Sequence, residues 1–300
     1  MRCADLRLLI TICLYWGVCT SAYSAEASLN PGPVDFAVNK LKKAEVSEGF
    51  ILQLQQLHIP EDRDRIIELN VLGGLATADY SGHYSKRALK RCADFIKKYR
   101  KDLKKAEKTF GISKEVIAAL LWVETKHGKI TGRYNVANVF FSLLQADHPE
   151  VIKSSLVAGA AKFPGRGEEY RQKIIERSLT KANWAKNELL SLDVVFRGKP
   201  GRLMMLSGSH SGAFGIPQFI PSSYVQWART PSKTRKPDLF KINDVIQSVA
   251  FYLKANGWIH GDEAAQRTAL FHYNRAQGYV DVILKIAAAL QSQGKAGKSR

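Results

Sequence analysis

The sequence predicts a mainly α protein, on two observations. From Val34 onward apolar residues recur at helical spacing, and the recurrent stretches have readable starts and stops. That pattern leaves room for loop insertions and for a small β element. With 300 residues, 45% of them hydrophobic, the chain is long enough for one large domain or two ordinary ones around a real core.

Residues 1–24 read as an address. Arg2 and Arg7 precede the apolar run Leu8 to Val18, and Ala22-Tyr23-Ser24 sets small residues where a signal peptidase needs them. A signal peptide and an exported, periplasmic protein are therefore expected. A soluble form is favoured over a lipoprotein attached through Cys19, because Val18 stands where lipoprotein signals want a small residue. Cys3, Cys13 and Cys19 all lie in this segment, so only Cys92 would survive cleavage and no internal disulfide could form.

The net charge is +18, and loss of two arginines and one aspartate with residues 1–24 leaves +17. Such a surplus predicts attraction to polyanions. No finger, recognition-helix or RNP-like motif accompanies it, and with an export signal the anionic partners in reach are cell-wall polymers and membrane surfaces, with no nucleic acid expected.

Residues 25–110 are expected to form a leader followed by a helical region. Asn30-Pro31-Gly32-Pro33 punctuates the leader, and Ser85 to Phe110 interleaves eleven cations with Leu89, Phe95, Ile96 and Leu103, as a solvated face beside a buried one would. From Gly111 a larger helical domain is expected to run to residue 293. Its first helix is GISKEVIAALLWVETKHG (111–128), with Ser113 as N-cap, Ile112 and Ile117 as staple and Gly128 as stop. Ile117, Leu120, Leu121 and Glu124 share one stripe, which sets Glu124 inward in the last turn. Desolvation and the negative end of the helix dipole would both hold its proton on, as a general acid requires. The alternative is a glutamate that reaches out to solvent or pairs with a lysine.

Residues 145–178 are polar and broken by His148-Pro149 and Phe163-Pro164-Gly165-Arg166-Gly167, which suggests an insertion of one helix and a loop beside or over a cleft. There Arg166, Arg171, Lys173 and Arg177 would be placed to contact substrate carboxylates. After the break at 197–201 comes the small, glycine-rich stretch 207–215, where the backbone can approach a ligand. Nucleotide-binding glycine spacing is absent from it. Helices are then expected at 222–229, 243–256 and 277–291, and residues 294–300 form a basic tail. The seven histidines show no HExxH spacing, and no Gly-x-Ser-x-Gly elbow is present.

Four segments, VETKHG (123–128), SGAFGIPQFIPSSY (211–224), NDVIQSVAFYLKANGW (243–258) and HYNRAQGYVDVIL (272–284), come in an order that resembles the lytic murein transglycosylase B family. The resemblance implies a lysozyme-like helical catalytic core acting on peptidoglycan glycan strands without a cofactor. Its single catalytic glutamate falls on Glu124, and its cleft-lining residues on Ser209, Gln218, Tyr273, Asn274 and Tyr279, with Lys181 as the remnant of a basic pair. Hydroxyls and amides of that set suit acetamido and hydroxyl groups, and tyrosine rings suit sugar faces.

Three departures stand out: His127 where many relatives have tryptophan, the lengthened 145–178, and residues 228–236, which lack a carboxylate for calcium, so no metal is expected. The implied reaction cleaves the MurNAc-GlcNAc β-1,4 bond and leaves a 1,6-anhydro end. The alternatives are a hydrolytic muramidase and a non-catalytic wall-binding or assembly module. A monomer is expected, with cell-wall or envelope assembly proteins as further partners.

Overall fold

The computed structural model describes residues 31–75, 79–232 and 234–296. The proposed signal peptide, Cys19 and the last four residues lie outside them. From Gly32 onward the chain is one compact unit. The helices in chain order are α1 (Pro33–Lys43), α2 (Glu48–Leu57), α3 (Pro60–Val71), α4 (Lys86–Lys98), α5 (Arg100–Phe110), α6 (Lys114–Thr125), α7 (Val136–Leu143), α8 (Pro149–Lys162), α9 (Gly167–Phe196), α10 (Pro200–Met204), α11 (Pro221–Trp227), α12 (Ile242–Ala255), α13 (Glu263–Tyr273) and α14 (Gln277–Ala296).

Two helix groups share the core. In one, α4, α5, α12 and α14 pack around α6; in the other, α3, α7, α8 and α11 pack against α9. The contact of α11 with α12 ties the two groups together. The central helix is α6, and its sequence says why. Val116, Ala118, Ala119 and Val123 are buried as well as the Ile117, Leu120 and Leu121 stripe, so it is covered all round. Ser113 caps it by accepting from the Val116 N–H at 3.4 Å.

The expected small β element is present. Tyr134–Asn135 (β1) pairs antiparallel with Ser207–Gly208 (β2), with Tyr134 opposite Gly208. Isolated bridges extend it through Gly208, Phe214 and Phe219.

Residues 145–178 are built differently from the expectation of one helix and a loop. They hold α8 and the first part of α9, a helix of 30 residues that continues well past 178. Ile174, Ser178, Ala182, Ala185 and Leu189 form its buried face. Gly159 lets α8 approach closely, since a Cβ there would lie 2.3 Å from Ile174 Cδ1. The many charges of this stretch hid the apolar stripe. At the other end, α14 runs through Ala296, past the expected start of the basic tail.

Candidate active site

The site begins at the end of α6. The helix stops at Thr125, short of Gly128, because Lys126, His127 and Gly128 are all left-handed, with φ of 53, 60 and 90°. The His127 N–H closes back on Leu121 O and the Lys126 N–H on Trp122 O, both at 3.0 Å. Such a run is costly for non-glycine residues, and packing compensates it. The His127 ring stacks on Phe95 with centroids 4.3 Å apart, and its Nε2–H donates to Ala118 O at 2.9 Å. Burial pushes its pKa down to about 4, so it is neutral. His127 is therefore a packing residue of this turn.

Thr125 fastens the turn to the glycine-rich segment. Its hydroxyl donates to Ile216 O at 2.7 Å and accepts from the Gly128 N–H at 2.9 Å. Glu124 is thereby set between this junction and α14. Its side chain is half-buried and its carboxyl group accepts a 2.5 Å hydrogen bond from the Tyr279 hydroxyl at Oε1. Burial pushes the Glu124 pKa up to about 7, against the opposing pull of the Tyr279 hydrogen bond and of the Lys126 charge. A partly exposed carboxyl group with this pKa can both give and take a proton near neutral pH.

The other expected site residues take distinct places. Tyr279 is 1% exposed, so its ring offers no face to a sugar; it is a positioning residue whose hydroxyl holds Glu124. Tyr273 stacks near Tyr279 with centroids 6.4 Å apart and donates to Pro217 O at 2.6 Å, which ties α13 to the glycine-rich segment. Asn274 caps α13 and its Nδ2 donates to the Tyr80 hydroxyl at 3.1 Å.

Gln218 has a left-handed backbone, φ 53°, and its Nε2 donates to Thr131 O and Gly215 O at 3.1 and 2.9 Å. Its Oε1 has no protein partner among the described residues and can accept from a ligand. Ser209 Oγ accepts from the Ala213 and Ser211 N–H groups at 3.2 and 3.3 Å, which leaves its O–H free to donate outward. Gly132 is required beside it, because a Cβ there would lie 2.0 Å from Gly208 O. Lys181 stands apart from the glutamate. Its ammonium lies 4.1 Å from the Trp184 ring centroid, and burial first, then Arg177, pushes its pKa down to about 8.

Tyr80 was missed by sequence reasoning. It precedes a short turn of 3₁₀ helix, Ser81–His83, and packs edge-on against Tyr279 at 5.7 Å while its hydroxyl meets Asn274. The only signal was the aromatic and turn-rich run Tyr80 to Tyr84 between two helices. Three of the four cations expected to meet substrate carboxylates, Arg171, Lys173 and Arg177, have partners within the protein. Arg171 pairs with Glu168 and Lys173 with Glu169, while Arg177 donates to Asn70 O and Val71 O at 2.8 and 2.7 Å. Arg177 thus closes the end of α3.

Residues 228–236 have their cation built in. Arg235 Nη2 donates to Asp244 Oδ1 at 2.8 Å and its Nη1 contacts Oδ2. The Thr230 hydroxyl and the Asp238 N–H complete the shell of this buried carboxylate at 2.9 and 2.8 Å.

Residues 73–294 match the family model described as the transglycosylase SLT domain. The membrane-bound lytic murein transglycosylase B of Escherichia coli (strain K12) is 28% identical over 171 residues, 57% of this chain and 39% of that protein, so the match spans well under half of the relative. Among solved structures, the Escherichia coli lytic transglycosylase SLT35 in complex with bulgecin A superposes with a TM-score of 0.65 at 18% identity, covering 89% of this chain and 95% of that one. SltB3 from Pseudomonas aeruginosa in complex with NAG-NAM-pentapeptide gives 0.62 at 14%, covering 86% and 78%. These likenesses show the helical fold, and the match over residues 73–294 shows that the chain belongs to the transglycosylase SLT family.

Proposed function

We propose that this protein is an exported lytic transglycosylase that cleaves the MurNAc-GlcNAc β-1,4 bond of peptidoglycan. The observation that carries the reading is Glu124, half-buried at the end of α6 with its pKa raised to about 7 and one oxygen held by Tyr279. A two-carboxylate glycosidase uses a second carboxylate as nucleophile or base. The mechanism proposed for this protein uses one.

Protonated Glu124 gives its proton to the glycosidic oxygen, the bond from muramoyl C1 breaks, and the GlcNAc hydroxyl leaves. The Glu124 carboxylate then takes the proton of the muramoyl C6 hydroxyl, whose oxygen bonds to C1. Glu124 ends as it began, no water is consumed, and a 1,6-anhydro end results. The nucleophile is tethered to the reacting sugar, an advantage of proximity. Ser209, Gln218 and Asn274 bind the glycan in this reading, and Tyr279 and Tyr273 position the acid. The periplasm is the place of action, as the amino-terminal sequence pattern supports.

Digestion of purified peptidoglycan followed by mass spectrometry tests the proposal. The expected products are one water lighter than hydrolytic ones, and Glu124→Gln lowers turnover by about 10²–10⁴-fold. Reducing ends in place of anhydro ends would make the enzyme a hydrolytic muramidase. A fully active Glu124→Gln variant would remove Glu124 from the chemistry.

A further inference from the structure

The groove between the amino-terminal end of α4 and the turn after α6 lies outside the catalytic group described above. It encloses about 340 Å³ and is lined by Arg87, Arg91, Trp122, Lys126, Lys129 and Ile130, with Gly82 and Ser85 at one end. Four cations and no carboxylate face it. None of the four makes an ion pair among the described residues, whereas Arg171 and Lys173 of the 145–178 stretch are each neutralised by a neighbouring glutamate. The Lys126 ammonium is fixed in place, donating to His83 Nδ1 at 2.7 Å and lying 4.7 Å from the Trp122 ring centroid.

This charge placement works against the helix that carries it. Lys86 and Arg87 sit in the first turn of α4 with no acidic residue there, against the positive end of the dipole. Arg87 and Arg91 are like charges four residues apart, which destabilises a helix. A general surplus of lysine and arginine explains cations on this surface. It does not explain two local penalties converging on one concavity, a pattern expected where a site recovers the cost when an anion binds.

The groove lies beside the group around Glu124. His83, which accepts from Lys126, packs against Tyr80 with centroids 6.0 Å apart, and Tyr80 packs against Tyr279, whose hydroxyl holds Glu124. We propose that this groove is a second binding site, which takes the carboxylates of the peptide stem attached to the glycan being cut. This rests on the function proposed above. The saccharide backbone offers hydroxyls and acetamido groups, and the carboxylates are on its peptides. Arg87 and Arg91 supply paired guanidinium donors to them. The Trp122 ring and Ile130, which is 66% exposed, cover the aliphatic parts of the stem.

Arg87 and Arg91 are exposed and touch none of the catalytic group, so their replacement leaves the fold and the acid intact. The double variant Arg87→Glu/Arg91→Glu is compared with Arg87→Lys/Arg91→Lys on glycan strands that carry peptides and on strands stripped of them. The expected result is a rise in KM of about tenfold on peptide-bearing strands for the glutamate pair, with kcat kept, stripped strands unaffected and the lysine pair near the parent. Equal loss on both substrates, or no loss, overturns the site. Separately, calorimetry on the Glu124→Gln protein measures binding of the free peptide stem, which the glutamate pair should abolish. If the parent protein cut neither strand while this binding persisted and vanished with the glutamate pair, the groove would stand and the proposed reaction would fall. Displacement of the peptide by inorganic phosphate at equal concentration would overturn its assignment to peptide carboxylates.

Discussion

Glu124 and Asp244 are two carboxylates enclosed by the same core, and the protein treats them in opposite ways. Asp244 lies in the first turn of α12, where the helix dipole favours a negative charge, and is fully buried with Arg235, Thr230 and the Asp238 N–H around it. Burial alone would raise its pKa, yet these partners together hold it below the usual carboxylate value. Glu124 lies in the last turn of α6, against the dipole, with one phenol as its hydrogen-bond donor, and burial wins. The same chemical group is held charged in one place and keeps its proton to about pH 7 in the other. Helix end and number of donors decide which.

The contrast can be broken first at Glu124. Its folded pKa is raised above the unfolded 4.5, so the folded state binds more protons between pH 4.5 and about 7 and loses stability as pH rises through that window. By this linkage the charge costs the fold roughly 3 kcal/mol above pH 7. Glu124→Gln should therefore raise Tm at pH 8 by roughly 6–12 °C while leaving it nearly unchanged at pH 4.5. Calorimetry at the two pH values checks this, and a gain independent of pH would contradict the raised pKa.

At Asp244 the expected sign is reversed. Arg235→Gln leaves a buried carboxylate with fewer donors, and Tm at pH 7 should fall by roughly 5–10 °C. Its folded pKa is depressed, so its contribution is present above the unfolded value of 3.8 and is lost as pH falls through the folded one. The deficit of Arg235→Gln should accordingly shrink in acid. Calcium added to the parent protein should leave Tm unchanged, because the Arg235 guanidinium already occupies the carboxylate.

How much of this was visible in the sequence follows from how local each cause is. The α6 cap at Ser113, the inward Glu124, and helices α12 and α14 rest on spacing within one segment, and they are where the sequence places them. The stop at Thr125 is not, because it depends on Phe95 stacking with His127 from another helix. The length of α9 was masked by its solvated charges. Tyr80 reaches Asn274 across 194 positions, and Arg235 meets Asp244 only because the intervening loop folds back. Such pairings have no periodicity to betray them. A motif located Tyr279, but the burial of its ring was not legible there, since a motif carries no information about which face of a ring is covered.

The smallest expected effect sharpens the contrast at its donor. Tyr279→Phe removes the hydrogen bond that favours the charged form of Glu124, so its pKa should rise further. The alkaline limb of the pH profile of kcat/KM, which falls as Glu124 loses its proton, should move to higher pH, with kcat down by about tenfold. An unshifted limb would show that Tyr279 acts only through packing.

One buried atom gives the molecule a clock. Cys92 Sγ lies beneath α4 at 3.8 Å from Ala118 O on α6, fully buried and with its pKa pushed up to about 12 by that burial. While α4 is seated, neither an alkylating reagent nor hydroxide can reach the thiol. Modification must therefore wait for α4 to lift from α6, and its rate counts those openings. The frequency with which the scaffold behind Glu124 breathes is thus written in the labelling kinetics of a side chain that takes no part in the reaction.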